Sequence, residues 1–272
     1  MPELPEVETV KNTLKKLVLN KKILNADVYH NNIIAYPTVA EFKSMIRNQV
    51  ISDIKRRGKW LIFELNNYYL VSHLRMEGKY FLKESGEALL KHEHVVFKFD
   101  NQELRYHDTR KFGKMYLLEK DKLEVSKPIN ELGLEPWDIS LTSSYLREKY
   151  LNKNIPIKTV LLDQSIITGI GNIYADEILF KCKINPLTKP RDLNEEQLSN
   201  IIKYTKETLE EAIKLGGTTI KSYESSKGVH GLFQNKLLVH SRAGEKCPNC
   251  GDIIIKMAVN GRGTYYCQNC QK

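Results

Sequence analysis

Long apolar runs are missing from this chain of 272 residues. None approaches the roughly 18 uninterrupted apolar residues that a membrane-spanning helix requires, so membrane insertion is not expected. Cysteine is almost absent until the end, where four of the five fall after Lys246. Internal repeats and low-complexity tracts are lacking, and with 41% apolar and 28% charged residues the chain is neither disordered nor fibrous. The start, Met1-Pro2-Glu3-Leu4-Pro5-Glu6, has two acids where a secretion signal needs basic charge. Residence in the cytoplasm is therefore expected. The length suits two domains with cores of their own.

Acidic charge is also in deficit. The net charge is +9, which points weakly to a polyanionic partner. The excess is concentrated. From Thr219 to Lys272 there are eight Lys or Arg and three Asp or Glu.

Periodicity predicts an α+β chain. Val7, Val10, Leu14 and Leu17 recur at helical spacing after Pro5, a residue suited to a first helical turn. Trp60–Leu65, Tyr68–Leu74, Val95–Phe99 and Met115–Leu118 read as strands, some separated by Asn66-Asn67 and Asp100-Asn101 turns. Residues 1–120 are thus expected to be a β-rich domain behind one helix. Residues 121–137, with Pro128, Gly133 and Pro136, read as a linker. Helices follow over 138–218. The clearest starts at Asn194, with Gln197 completing a capping box. Leu198, Ile201, Ile202, Thr205, Leu209, Ala212 and Ile213 form its stripe, and Gly216-Gly217 ends it. Residues 219–272 return to strand.

Cys247-Pro-Asn-Cys250 and Cys267-Gln-Asn-Cys270 supply four thiolates at the spacing of a tetrahedral zinc ribbon. Two disulfides or two redox dithiols are the alternatives. Disulfides conflict with a cytoplasmic location, and redox motifs do not come doubled on one short hairpin. With all four positions filled by Cys, no site is open for water, so one Zn²⁺ would be structural. Gly251, Gly261 and Gly263 are expected at turns of positive φ. Cys182 is expected in the core.

The other unusual feature is Met1-Pro2-Glu3. Removal of Met1 would free a secondary amine on Pro2, a nucleophile toward an aldehyde carbon. Glu3 and Glu6 stand close in sequence as proton carriers. The bland alternative is a helix start with acids favouring the dipole. Lys55-Arg56-Arg57-Gly58-Lys59 is a dense basic cluster beside Trp60. Met76, Arg110 and Phe112 are candidates for wedging into a base step, although lone apolar residues more often belong to a core. Gly169-Ile170-Gly171-Asn172 reads as a turn entering a helix, where Asn172 is placed to meet a phosphate.

Taken in order, these segments resemble the formamidopyrimidine-DNA glycosylases. The resemblance runs from Pro2-Glu3-Leu4-Pro5-Glu6 to Tyr266-Cys267-Gln268-Asn269-Cys270. Between lie Gly58-Lys59, Leu74-Arg75-Met76-Glu77-Gly78, Arg110-Lys111-Phe112-Gly113, Gly171-Asn172-Ile173-Tyr174, Gly216-Gly217-Thr218-Thr219 and Gly231-Leu232-Phe233-Gln234. It implies a multi-domain α+β fold: an N-terminal helix with a β-sandwich, then a helix–two-turn–helix domain with a zinc ribbon. It implies Pro2 as nucleophile, Glu3 as acid/base, Lys59 at the reacting sugar and Glu6 in support. Asn172 and Arg262 would hold phosphates. Met76, Arg110 and Phe112 would fill the vacated base position, and His92 and Lys158 complete the DNA contacts. Cys247, Cys250, Cys267 and Cys270 would bind Zn²⁺. The implied partner is double-stranded DNA with an oxidised base or abasic site, and a monomer is the expected state.

Val239-His240-Ser241-Arg242 departs from the family, which usually has Tyr-Gly before this Arg, and the loop from Thr218 to Gly231 carries no assignable base-reading residue. Three other readings compete with this one. The related endonuclease VIII type usually has Gly where this chain has Leu4. A non-catalytic lesion binder would be expected to lose Pro2 or Glu3. A zinc-ribbon accessory protein would leave the N-terminal motif unexplained.

Overall fold

The computed structural model describes residues 1–218 and 232–272. These divide into two compact units, residues 1–130 and residues 131–218 with 232–272.

The first unit opens with α1 (Leu4–Val18), with Pro5 in its first turn. Val7, Val10, Leu14 and Val18 are buried. Leu17, expected in that stripe, is instead exposed. There follow β1 (Asn25–Val28), β2 (Ile34–Tyr36), α2 (Val39–Ile46), β3 (Asp53–Arg57), β4 (Trp60–Glu64), β5 (Tyr68–His73), β6 (Lys79–Glu84), β7 (Glu93–Lys98), β8 (Gln102–His107) and β9 (Lys114–Glu119). The strands form two sheets, ordered β1-β7-β8-β6 and β2-β9-β5-β4-β3. One core joins them. Val10 and Leu14 of α1 meet Phe42 of α2, Phe63 and Leu70 of one sheet, and Phe97, Leu104 and Tyr106 of the other. Burying large apolar side chains from both inner faces is what holds a sandwich together. The β3–β4 hairpin turns at Gly58-Lys59, pairing Arg57 with Trp60. Gly58 has φ +55, a conformation tight hairpin turns demand. Residues in the expected linker form short 3-10 turns, Lys120–Lys122 and Ile129–Glu131.

The second unit holds α3 (Ser143–Tyr150), α4 (Ile157–Leu161), α5 (Asn172–Lys181) and α6 (Glu195–Lys214). At the start of α6 the Gln197 N–H donates to Asn194 Oδ1 at 2.9 Å, and the Asn194 N–H donates to Gln197 Oε1 at 2.9 Å. Leu198, Ile201, Thr205, Leu209 and Ala212 are buried, joined by Thr208. Gly216 and Gly217, both at positive φ, terminate it. The tail closes as an antiparallel hairpin, β10 (Ile255–Val259) with β11 (Arg262–Tyr266). Gly251 and Gly261 have positive φ. Gly263 does not: it lies inside β11, where its value is a carbonyl and not a turn. Among the described residues no helix is long and apolar enough to cross a membrane.

Candidate active site and metal centre

The N-terminal segment is set by α1. Pro2 is buried and Met1 exposed. Glu3 is the N-cap of α1. Its N–H donates to the Glu6 carboxylate at 2.8 Å, and both acids are almost fully buried. Two residues on, Glu8 accepts from Arg56 Nε of β3 at 2.9 Å, and Arg56 Nη1 donates to the Gly58 carbonyl at 2.9 Å. Lys11 also pairs with Glu8. Burial opposes ionisation of Glu8, but Lys11 and Arg56 outweigh it and hold its carboxyl below the usual carboxylate range. Arg56 therefore joins α1 to the turn that carries Lys59, which is itself buried.

His73 ends β5 beside this turn. Its Nδ1 accepts the Arg75 N–H at 2.8 Å, and the edge of Trp60 packs against its ring, with centroids 4.5 Å apart. Burial, then the charges of Arg75 and Lys59, push its pKa down to about 3. It is a neutral imidazole that fixes Arg75 in a left-handed conformation, φ +54. Met76 follows, half-buried.

Arg110 and Phe112 occupy the exposed loop between β8 and β9. Asp108, fully buried, organises it. Its carboxylate accepts from the backbone N–H of Arg110 at 3.0 Å, Phe112 at 2.8 Å and Gly113 at 2.8 Å. The Arg110 guanidinium lies 4.7 Å from the Phe112 ring centroid, a cation–π contact. His92 sits at φ +74 with its carbonyl accepting the Asp108 N–H. Its ring neighbours those of His94 and His107. Burial lowers the pKa of both neighbours.

In the second unit, Asn172 is the first residue of α5. Its Nδ2 donates to the Gly263 carbonyl at 3.0 Å. Lys158 donates to the same carbonyl at 2.9 Å, to Thr264 Oγ1 at 2.8 Å, and pairs with Asp176 at 2.7 Å. Lys158 is 1% exposed. Placing it among the DNA contacts conflicts with this geometry, because its ammonium is turned inward and occupied. Arg262, next to the shared carbonyl, is exposed. The unusual His240-Ser241 pair also finds its place. His240 Nδ1 lies 2.8 Å from Asp176 Oδ2, Ser241 adopts φ +63, and Glu177 accepts the backbone N–H groups of Leu238, Val239 and His240.

The Sγ atoms of Cys247, Cys250, Cys267 and Cys270 all lie within 4.8 Å of one another. Cys247 and Cys270 are 3.8 Å apart, Cys250 and Cys267 3.5 Å. A tetrahedron with Zn–S bonds of ~2.3 Å has edges of about 3.8 Å, so the donor set fits one structural Zn²⁺. Cys182 is a core residue, and burial raises its thiol pKa. The loop expected to face the base lies outside the described residues beyond Thr218.

Sequence reasoning gave no role to Glu8, His73 or Asp108, and read Arg56 only as part of a basic cluster. For Asp108 a signal existed: an acid opening a short basic loop that closes on glycine is the pattern of a side chain capping its own turn.

Fold and site together define a two-unit α+β chain with a buried Pro-Glu helix start and a four-cysteine ribbon. Residues 1–115 match the formamidopyrimidine-DNA glycosylase N-terminal domain, 132–224 its H2TH domain, and 244–272 a zinc finger found in FPG and IleRS. The formamidopyrimidine-DNA glycosylase of Oceanobacillus iheyensis is 47% identical, with 100% of this chain and 98% of that one covered. That of Cytobacillus firmus is 48% identical with both chains covered in full. Among solved structures, the Lactococcus lactis Fpg bound to DNA containing an abasic site is 38% identical, covers 99% of each chain and has a TM-score of 0.93. A variant of the same protein bound to Fapy-dG DNA has a TM-score of 0.94 at 38% identity, covering 100% of each chain. The chain belongs to the formamidopyrimidine-DNA glycosylase family.

Proposed function

We propose that this protein is a base-excision repair enzyme that removes oxidised purines from double-stranded DNA and then cleaves the strand at the abasic site. The observation carrying this reading is the N-terminal constellation: Pro2 and Glu3 buried at the start of α1, in a chain matching the family over its whole length.

The target carbon, C1′ of the damaged nucleotide, is hidden in a stacked duplex. The nucleotide must be everted, at a cost on the order of a few kcal/mol. Met76, Arg110 and Phe112 fill the space it leaves, and Arg262, Asn172 and His92 hold the phosphates. The Pro2 nitrogen, unblocked by removal of Met1, attacks C1′ as the base departs. Glu3 protonates the ring oxygen, the sugar opens, and an iminium forms between Pro2 and C1′. The iminium acidifies the C2′ hydrogen. Its loss expels the 3′ phosphate, and a second elimination expels the 5′ phosphate. Lys59 supplies positive charge beside the reacting sugar and Glu6 supports Glu3. The ribbon's Zn²⁺ holds the hairpin that carries Arg262 and takes no part in bond making. Lys158 acts by positioning, through the Gly263 carbonyl it shares with Asn172. Reduced thiolates in the ribbon and a chromosomal substrate support residence in the cytoplasm, and the chain acts as a monomer.

Borohydride reduction of a mixture with abasic-site DNA tests the scheme. Wild type is expected to leave a covalent protein–DNA adduct, and Pro2→Gly, which keeps only a primary amine, to lose most base-excision activity and trap far more slowly. Absence of the adduct with wild type of confirmed Met1-free mass would refute the Pro2 chemistry.

A further inference from the structure

The loop bearing Met76 and the loop bearing Arg110 and Phe112 come from different places in the sandwich, β5–β6 and β8–β9. Two features join them. Thr109 Oγ1 of the second loop donates to the Glu77 carboxylate of the first. Both loops close on one buried hydroxyl: a Cβ built on Gly78 would stand 2.3 Å from Tyr106 Oη, and one on Gly113 only 1.7 Å from it. Within the second loop, the carboxylate of Asp108 fixes Arg110, Phe112 and Gly113. It also lies close enough to raise the Tyr106 pKa, after burial itself.

We infer that Thr109 and Glu77 are positioning residues whose hydrogen bond, made where both loops pack on Tyr106, makes Met76, Arg110 and Phe112 one rigid wedge. This rests on the proposed role of those three residues in occupying the vacated base position. Two loops with independent motion would each have to be ordered when they enter the stack, and ordering side chains and backbone opposes binding. Loops already tied bring that order with them. The tie should matter where a paired base must be driven out, and little where no base is present.

The test compares two DNAs in single-turnover reactions. One carries 8-oxoguanine paired with cytosine, with 2-aminopurine beside it to report unstacking. The other carries a preformed abasic site. For Thr109→Val, unstacking and excision are expected to slow roughly three- to tenfold, the effect of one lost hydrogen bond. Abasic-site cleavage is expected to stay within about twofold. Thr109→Ser, which keeps the hydroxyl, is expected to restore excision. Equal slowing of both reactions, no slowing of either, or a Thr109→Ser variant as slow as Thr109→Val overturns the tie. If wild type processes neither DNA, it is the proposed activity itself that fails.

Discussion

Arg56 bridges Glu8 and the Gly58 carbonyl, with both contacts at 2.9 Å. One guanidinium thus sets the distance between the helix that begins with Pro2-Glu3 and the turn that carries Lys59. Its side chain is only 9% exposed, so the pair is not a surface ornament. Arg56→Ala leaves the half-buried Glu8 with Lys11 as its remaining cation. A loss of about 1–3 kcal/mol in stability is expected, read by denaturant titration, together with slower borohydride trapping. Arg56→Lys keeps the charge but loses the two-pronged geometry, and should recover stability better than trapping rate.

His73 predicts an acid-side loss of stability. Its folded-state pKa, about 3, lies below the ordinary 6.5. Between these values the unfolded chain binds a proton the folded chain refuses. Stability from this group is therefore complete above pH 6.5 and falls as pH drops toward 3, by on the order of a few kcal/mol. Glu8, held below its usual range, adds a loss only at lower pH, as its folded value is passed. Melting curves from pH 7 to 4 should show the decline. In His73→Gln the slope over this window should flatten, and an unchanged slope would assign it elsewhere.

Lys158 and Arg262 should separate cleanly in salt titrations. An exposed phosphate contact contributes about one unit to the slope of log affinity against log salt. Arg262→Ala is expected to reduce that slope by about one. Lys158→Met should leave it unchanged while destabilising the fold, because Asp176 loses a buried partner, a change costing about 3–5 kcal/mol. A reduced slope for Lys158→Met in a folded protein would return it to the DNA-contact set.

Metal removal should act at a distance within the second unit. A ribbon of this size depends on its ion. Chelation is expected to release the hairpin, taking the Gly263 carbonyl from Lys158 and Asn172 and displacing Arg262. DNA affinity should fall and return with added Zn²⁺, followed by fluorescence anisotropy.

The sequence showed what local chemistry controls. The Asn194 cap, the α6 stripe and the doubled cysteine pairs depend on neighbours a few residues apart. So does α2, whose Thr38–Glu41 capping box was present but passed over, because its eight residues are too few to show a clear period. β3 was hidden for another reason. Its Asp-Ile-Lys-Arg-Arg reads as a charge cluster, and only pairing with β4 reveals Arg56 turned toward Glu8. The surroundings of Lys158 were hidden because its partners lie far off in sequence: Asp176, Gly263 and Thr264. No pattern within one segment tells a solvated lysine from a buried one. The placement of Pro2 and Glu3 came from family resemblance, since the dipeptide alone fits an ordinary helix start equally well.

Cys182 has a practical consequence. It is withdrawn into the helical unit, 7% exposed, and burial disfavours its thiolate. A maleimide dye applied to the folded chain should therefore leave it untouched and find only the ribbon. Cys247 and Cys267 are buried more deeply still in the folded ribbon, so dye attachment there reports ribbons opened by loss of their ion, with the lone fifth cysteine as a silent background.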